Sequence, residues 1–329
     1  MKIWYDACTG KHIRYGIAIG KRLRKAGHQF IFTTREHPDT IALAKLLGEK
    51  PIIVGKYSPN TLGSRLEESA LRVIEFSKMF RDGKPDVAVA HQSVELCRTA
   101  FGLGIPIILT ADTPHALATN RLTMPFAHTV VVSEALPKSF TRQYCARNVA
   151  VFKGVDEVAW IQDFKSLKTP GLEKPLIVVR QIESKAAYAK DKQDHAETMI
   201  EQLAELGKVH FIERYNTDNA TFVEKADFVD SANLAANADL VVSYGGTIAR
   251  EAALLGIPSI AISGMAKTCV NRYLAKKGFP IFITDEQHVF RFAKKYLGKR
   301  FDVVGELAGL ENPAVKIQEI VENLKTLKG

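Results

Sequence analysis

The chain has 329 residues, 46% of them hydrophobic and 25% charged, enough for about two domains of ordinary size, each with its own core. No run of about 18 apolar residues occurs, so no membrane-spanning helix is expected. The formal charge of +9 invites anionic partners: nucleic acid, anionic small molecules or anionic lipid.

The opening "MKIWYDACTG" lacks the basic start and long apolar centre of a secretory leader, so a cytoplasmic location is expected. "KIWYDA" reads as a strand, "CTGKH" as a loop and "IRYGIAIGKRLRKAG" as a helix. "HQFIFTTR" is a second strand, "TIALAKLLGE" a helix and "KPIIVG" a third strand. The helix "SRLEESALRVIEFSKMFRDGK" leads to the strands "DVAVAH", "GIPIILTAD" and "HTVVVS". Strands alternating with helices at this rhythm imply a parallel sheet with right-handed crossovers. The polar, Pro-containing "FKSLKTPGLEKP" then reads as a linker. After it the rhythm restarts with "LIVVR", the helix "DHAETMIEQLAELG", "VHFIER", the short "ADFVD", the helix "SANLAANA", "DLVVSY", the helix "TIAREAALLG" and "PSIAIS". Helical patterns over "CVNRYLAKKG", "EQHVFRFAKKYLG" and "AVKIQEIVENLKTL" close the chain.

The expected fold is α/β, with two Rossmann-like doubly wound domains facing across a cleft. The N-terminal domain spans 1–163, the linker 164–175 and the C-terminal domain 176–329, with the last helix packing back on the N-terminal domain. One internal echo supports two like domains. "DVAVAHQSVELCRTAFGLGIPIILTAD" and "DLVVSYGGTIAREAALLGIPSIAISG" both run strand, loop, helix, Leu-Gly-Ile-Pro, strand. In each, Gly suits the residue after the helix and Pro the entry to the next strand; a helix-to-strand turn of this kind also arises without duplication.

Function in such sheets gathers in the loops after the strands. After the first strand, Gly10 permits a close backbone approach, and Lys11 and His12 sit at a helix N-terminus, which favours anions. The dipole lowers the pKa of His12, so it can act as a neutral base; or else Thr9 caps the helix and His12 merely lies in its first turn. Asp112 either serves a polar site with His91, Gln92, Ser93, His115, Asn120 and Arg121 or caps the next helix. In the second half, Arg180, Ser184 and Lys185 follow a strand and suit phosphate. Phe228 lies in "FVD", which can edge a base pocket. Gly245 and Gly246 leave the backbone bare and Thr247 can cap, making a diphosphate site. Glu251, one turn on, can accept from a ribose diol, and Arg250 is read as facing solvent.

Several classes lose weight. No Walker, G-x-G-x-x-G, H-E-x-x-H or G-x-S-x-G motif occurs. Cys8, Cys97, Cys145 and Cys269 have no C-x-x-C spacing, which argues against zinc and disulfides. The clusters "KRLRK" and "KKYLGKR" read as solvated helix faces, and no nucleic-acid-binding signature accompanies them, so nucleic acid is not a favoured partner.

The stretch "FVDSANLAANADLVVSYGGTIAREAALLGIPSIAI" resembles the donor region of GT-B-fold proteins. It looks like the glycosyltransferase that adds N-acetylglucosamine to the peptidoglycan lipid precursor, and is similar to UDP-N-acetylglucosamine 2-epimerases. "TGKHIRYGIAIGKRLRKAGHQFIF" resembles that transferase's Gly-Gly-His loop and first helix, and "KPDVAVAHQSVELCRTAFGLGIPIIL" its later N-terminal strand region. The whole length looks like a largely archaeal family of unknown function with this fold. The resemblance implies a UDP-sugar, with Glu251 on the ribose, Gly245, Gly246 and Thr247 at the diphosphate, and His12 near the reacting sugar. Two departures add positive charge: Lys11 replaces a loop glycine, and Arg180 stands where a Gly-Gly-Ser loop begins. The expectation is a transferase acting on a nucleotide-diphosphate sugar without metal or other cofactor. The alternatives are a UDP-sugar 2-epimerase or a non-catalytic nucleotide- or polyanion-binding scaffold. The acceptor is a glycan or a lipid-linked group, and peripheral contact with an anionic membrane stays open.

Overall fold

The run "KIWYDA" forms a strand whose residues Ile3, Trp4 and Tyr5 are fully buried, the signature of a parallel strand covered on both faces. In the computed structural model, which describes residues 1–58, 60–168, 171, 173–180, 198–212, 230–262 and 268–326, this strand, β1 (Lys2–Ala7), is an interior strand of a seven-stranded parallel sheet. Its companions are β2 (Gln29–Glu36), β3 (Ile52–Lys56), β4 (Val87–His91), β5 (Ile107–Thr110), β6 (Thr129–Ser133) and β7 (Val149–Phe152), in the order β3-β2-β1-β4-β5-β6-β7. The connecting helices are α1 (Gly10–Lys25), α2 (Pro38–Leu46), α3 (Leu62–Met79), α4 (Val94–Gly102), α5 (Leu117–Arg121), α6 (Lys138–Gln143) and α7 (Val158–Ile161). Glycines let α1 lie close on the sheet: a Cβ at Gly16 would overlap the Tyr5 ring, and one at Gly20 the Phe30 ring.

The second sheet contains β8 (Leu176–Arg180), β9 (Lys208–Ile212), β10 (Leu240–Ser243), β11 (Ser259–Ile262) and β12 (Ile281–Thr284), all parallel, in the order β12-β11-β10-β8-β9. Residues 198–204 form a helix, α8, followed by α9 (Ser231–Asn237), α10 (Thr247–Leu254), α11 (Cys269–Lys276), α12 (Val289–Tyr296), α13 (Val304–Ala308) and α14 (Pro313–Thr326). Both faces of this sheet carry apolar clusters, one around Val179, Leu203, Val242 and Ile260, the other around Val178, Ala235, Val241 and Ile248. The chain divides into two units, Met1–Trp160 with Glu311–Gly329, and Ile161–Leu310. In the first, α14 packs on α1.

Three local readings are corrected. First, α1 starts at Gly10, earlier than the periodicity suggests, because Thr9 is the N-cap and its hydroxyl accepts from the His12 N–H. Second, α3 ends at Met79, short of "RDGK". Third, β7 and β12 add an edge strand to each sheet. Each is four residues long and largely half-buried or exposed, so neither leaves the apolar run that marks a central strand.

The two Leu-Gly-Ile-Pro turns close alike. Gly104 and Gly256 have φ of +64° and +74°. The following amides, Ile105 and Ile257, donate five residues back to Ala100 and Ala252 at 2.8 and 2.9 Å. These are Schellman ends, which need the left-handed conformation that glycine adopts without strain. Strand order reverses between β1 and β4 in the first sheet and between β8 and β10 in the second, so each has a topological switch point, where open α/β sheets bind ligands.

Candidate functional site

In the first unit the β1–α1 loop and the end of β4 meet at the switch point. Lys11 projects from the first turn of α1, and its Nζ lies 2.5 Å from Asp112 Oδ2 and 2.8 Å from Asp156 Oδ2. His91 ends β4, with its Nε2 3.6 Å from Asp112 Oδ1 and 3.9 Å from Asp156 Oδ2. His91, Asp112 and Asp156 present three metal-type ligand atoms within 4.8 Å of one another, and the Lys11 ammonium bridges the two carboxylates. Its charge is therefore committed to Asp112 and Asp156 and is not an uncompensated addition to a phosphate site. Asp112 is an ion-pair partner and not a helix cap: α5 has Ala116 at its N-cap, without a side-chain bond. Gly10 lies in the first turn of α1, where a Cβ would make only an ordinary contact with Leu43, 3.5 Å.

His12 and His91 form an edge-to-face pair with ring centroids 4.8 Å apart. Burial, then His91 and Lys11, pushes the His12 pKa well below the usual imidazole value. The ring is thus neutral near pH 7. Its Nδ1 accepts from the Cys8 N–H at 3.2 Å, which puts the proton of the neutral ring on Nε2. His12 therefore offers Nε2 as a hydrogen-bond donor, and the reading of it as a base is corrected by this tautomer. His91 has the opposite arrangement. Its Nδ1 is 2.7 Å from Thr110 Oγ1, and that hydroxyl donates to the Ala90 carbonyl at 3.3 Å. Thr110 Oγ1 thus holds the ring through Nδ1, and His91 turns Nε2 toward the two carboxylates.

Beneath this cluster lies a charge pair absent from the sequence reading. Asp6, in β1, and Arg72, in α3, are essentially fully buried and 2.8 Å apart. Arg72 also meets Glu95 at 3.2 Å and donates from Nε to the Val54 carbonyl at 2.8 Å. Asp6 further accepts from Ser93 and Thr33, at 2.6 and 2.8 Å. Gly55 makes room, since a Cβ there would strike the Arg72 stem. Cys8 sits against Asp6 and Ser93. Burial, then Asp6, pushes its thiol up to about 12, so it is no thiolate nucleophile at neutral pH. The signal was present in the sequence: an aspartate inside a buried apolar strand demands a partner.

In the second unit Arg180 ends β8 and pairs in register with Ser243 of β10, at the other switch point. The Gly245 N–H donates to Ser243 Oγ at 3.0 Å, which shapes the loop. α10 follows, with Gly246 as N-cap and no side-chain capping bond. Thr247 is the first helical residue, so its expected capping role is corrected: the cap position falls one residue earlier. Arg250 is buried and does not face solvent. Its guanidinium folds back against Gly246 and bonds Asn271 Oδ1 at 3.5 Å, and the missing Cβ of Gly246 provides the room. Glu251 is fully buried and accepts from Ser231 Oγ, at the start of α9, at 3.1 Å. Ser184, Lys185 and Phe228 lie outside the described residues. Two surface concavities, about 520 Å³ beside β3 and about 280 Å³ beside Arg22 and Gln318, contain none of these loop residues.

Two doubly wound parallel sheets place the protein in the α/β class with a GT-B-like fold, as the solved structures it matches show. The chain belongs to the family described as protein of unknown function (DUF354), whose model matches residues 1–325. It is 30% identical to the uncharacterized protein MJ0665 of Methanocaldococcus jannaschii, over an alignment of 343 positions covering 98% of both chains. Among solved structures it is similar to S. aureus MnaA in a co-structure with UDP: TM-score 0.73, 13% identity, 99% of this chain and 97% of that one. It is also similar to the spinosyn rhamnosyltransferase SpnG complexed with thymidine diphosphate: TM-score 0.58, 16% identity, 97% of this chain and 100% of that one. Further neighbours are glycosyltransferases and UDP-N-acetylglucosamine 2-epimerases. Among the described residues no helix is long and apolar enough to cross a membrane.

Proposed function

We propose that this protein binds a nucleotide-diphosphate sugar, with a UDP-sugar favoured, and transfers the sugar to an acceptor. The observation that carries the reading is the start of α10. A bare Gly245–Gly246 backbone, with the Gly245 N–H held by Ser243 Oγ, enters a helix without a side-chain cap at a topological switch point, so the N–H groups of the first turn of α10 and the positive dipole end serve a diphosphate. Arg180 adds a cation at the same strand ends, and with Lys185 it offsets charge on the leaving group, so the reaction needs no metal or other cofactor. The ribose diol exchanges with the Ser231 hydroxyl as the donor to Glu251. Ser184 and Phe228 complete the nucleotide side.

On the first unit, His91 Nε2 takes the proton of an acceptor hydroxyl, and Asp112 and Asp156 stabilise the resulting imidazolium. The acceptor oxygen bonds to the anomeric carbon as the bond to the diphosphate breaks and the nucleoside diphosphate leaves. His12 donates from Nε2 to an oxygen of the sugar or phosphate. Lys11 holds the two carboxylates in place.

The test is a thermal-shift and calorimetric titration with UDP, GDP, CDP and dTDP and their sugars. Glu251→Ala is expected to weaken UDP binding at least about tenfold, the scale of a lost charge-assisted hydrogen bond; unchanged affinity removes the ribose assignment. A second reading, 2-epimerisation of a UDP-sugar, is favoured by the paired carboxylates beside His91. It requires solvent deuterium to enter the sugar at C2, whereas transfer leaves C2 unlabelled. EDTA leaves the activity unchanged in the transferase reading.

A further inference from the structure

We propose that the outward face of α3 joins two copies of this chain about a two-fold axis. Seven of the fifteen large hydrophobic side chains exposed among the described residues lie on β3 and α3: Ile52, Ile53, Leu62, Leu66, Leu71, Ile74 and Met79. β3 is an edge strand, paired with β2 on one side and with no strand on the other. α3 packs on the sheet through Arg72 and Phe76, which are buried. Its opposite side carries Glu67, Leu71, Ile74 and Lys78 at i, i+4, i+7 and i+11. That is the spacing of a helix–helix seam.

The seam is complementary to itself. Laid antiparallel across a two-fold axis, Leu71 meets Ile74 of the partner subunit and Glu67 meets Lys78 of the partner subunit, with the reciprocal pairs at the other end. Leu71 is 51% and Ile74 47% exposed, so this apolar centre is uncovered in the single chain. Among the described residues Lys78 is held by an exposed pair with Glu75 at 2.8 Å, and such pairs contribute little and exchange readily. A patch of this kind on a lone domain marks an interaction site. With Glu67, Glu75 and Lys78 on it, the outward face has no excess of positive charge and does not suit an anionic membrane. An isologous contact between identical chains uses both signs at once.

The test is sedimentation equilibrium of the full chain. The wild type is expected at twice the 36.4 kDa chain mass at micromolar concentration. Ile74→Glu is expected to give the monomer with an unchanged far-UV spectrum. Glu67→Lys weakens the dimer by about tenfold, because both ends of the seam then meet like charge. Glu67→Lys combined with Lys78→Glu returns the affinity to within about threefold of wild type. A wild-type monomer at about 100 μM, a dimer that survives Ile74→Glu, or a double reversal that fails to restore association overturns the proposal. None of these residues belongs to the nucleotide reading, so the two fail independently.

Discussion

At the residue scale, Arg72 and His12 show how burial turns ordinary side chains into determinants of stability and chemistry. Arg72 is an interior cation satisfied by Asp6, Glu95 and a backbone carbonyl. Removing one member of such a cluster leaves an uncompensated buried carboxylate. Arg72→Met is expected to lower the unfolding free energy by about 3–5 kcal/mol in urea titration at pH 7; a loss below about 1 kcal/mol means that solvent already reaches Asp6. His12 makes stability depend on pH in a stated direction. Its folded-state pKa lies below the ordinary value, so the unfolded chain binds more protons from about pH 6.5 downward. Its stabilising contribution is complete above that value and is lost as the pH falls toward the folded-state pKa. His12→Gln should flatten the acid limb of the stability profile between about pH 6.5 and 5. Parallel profiles for wild type and variant would show that His12 titrates normally.

At the element scale, the two Leu-Gly-Ile-Pro turns are the same local solution in different surroundings. Gly104 and Gly256 both adopt positive φ, but a Cβ at Gly104 would meet nothing, whereas one at Gly256 would strike the Phe301 carbonyl. Gly104→Ala therefore carries only the left-handed backbone cost, about 1–2 kcal/mol. Gly256→Ala adds a steric cost and should destabilise more in the same assay; equal losses would mean that the Phe301 segment moves aside freely. The α10 N-terminus teaches a related lesson. Gly246 is bare because the Arg250 guanidinium lies against it. Packing accounts for that glycine as well as anion binding does. Gly245 lacks such a neighbour, since its Cβ would come only within 3.7 Å of Ser243 Oγ, so packing does not account for it.

At the scale of the whole molecule, a GT-B-like fold supports several chemistries, and the loops at the two switch points distinguish them. A nucleotide that binds the native state raises its stability by mass action, by about 2.7 kcal/mol at a hundred times Kd, so the melting shift reads the entire folded chain. The succession of strands and helices, the central strands of both sheets and the glycine-closed turns were legible in the sequence. Each depends on apolar periodicity and backbone preference within a dozen residues. Candidate positions at the strand ends were legible for the same reason. What those residues do was decided by tertiary structure. Lys11 meets carboxylates 101 and 145 positions away. Asp6 finds its arginine 66 positions on. His12 is assigned its tautomer by a backbone amide, and His91 its role by Thr110. Charge partnership and protonation depend on which loops the fold brings to one sheet edge. The sequence by itself determined the two parallel sheets and their central strands; only tertiary packing decided which edge strands complete them and which charges remain at the strand ends for chemistry.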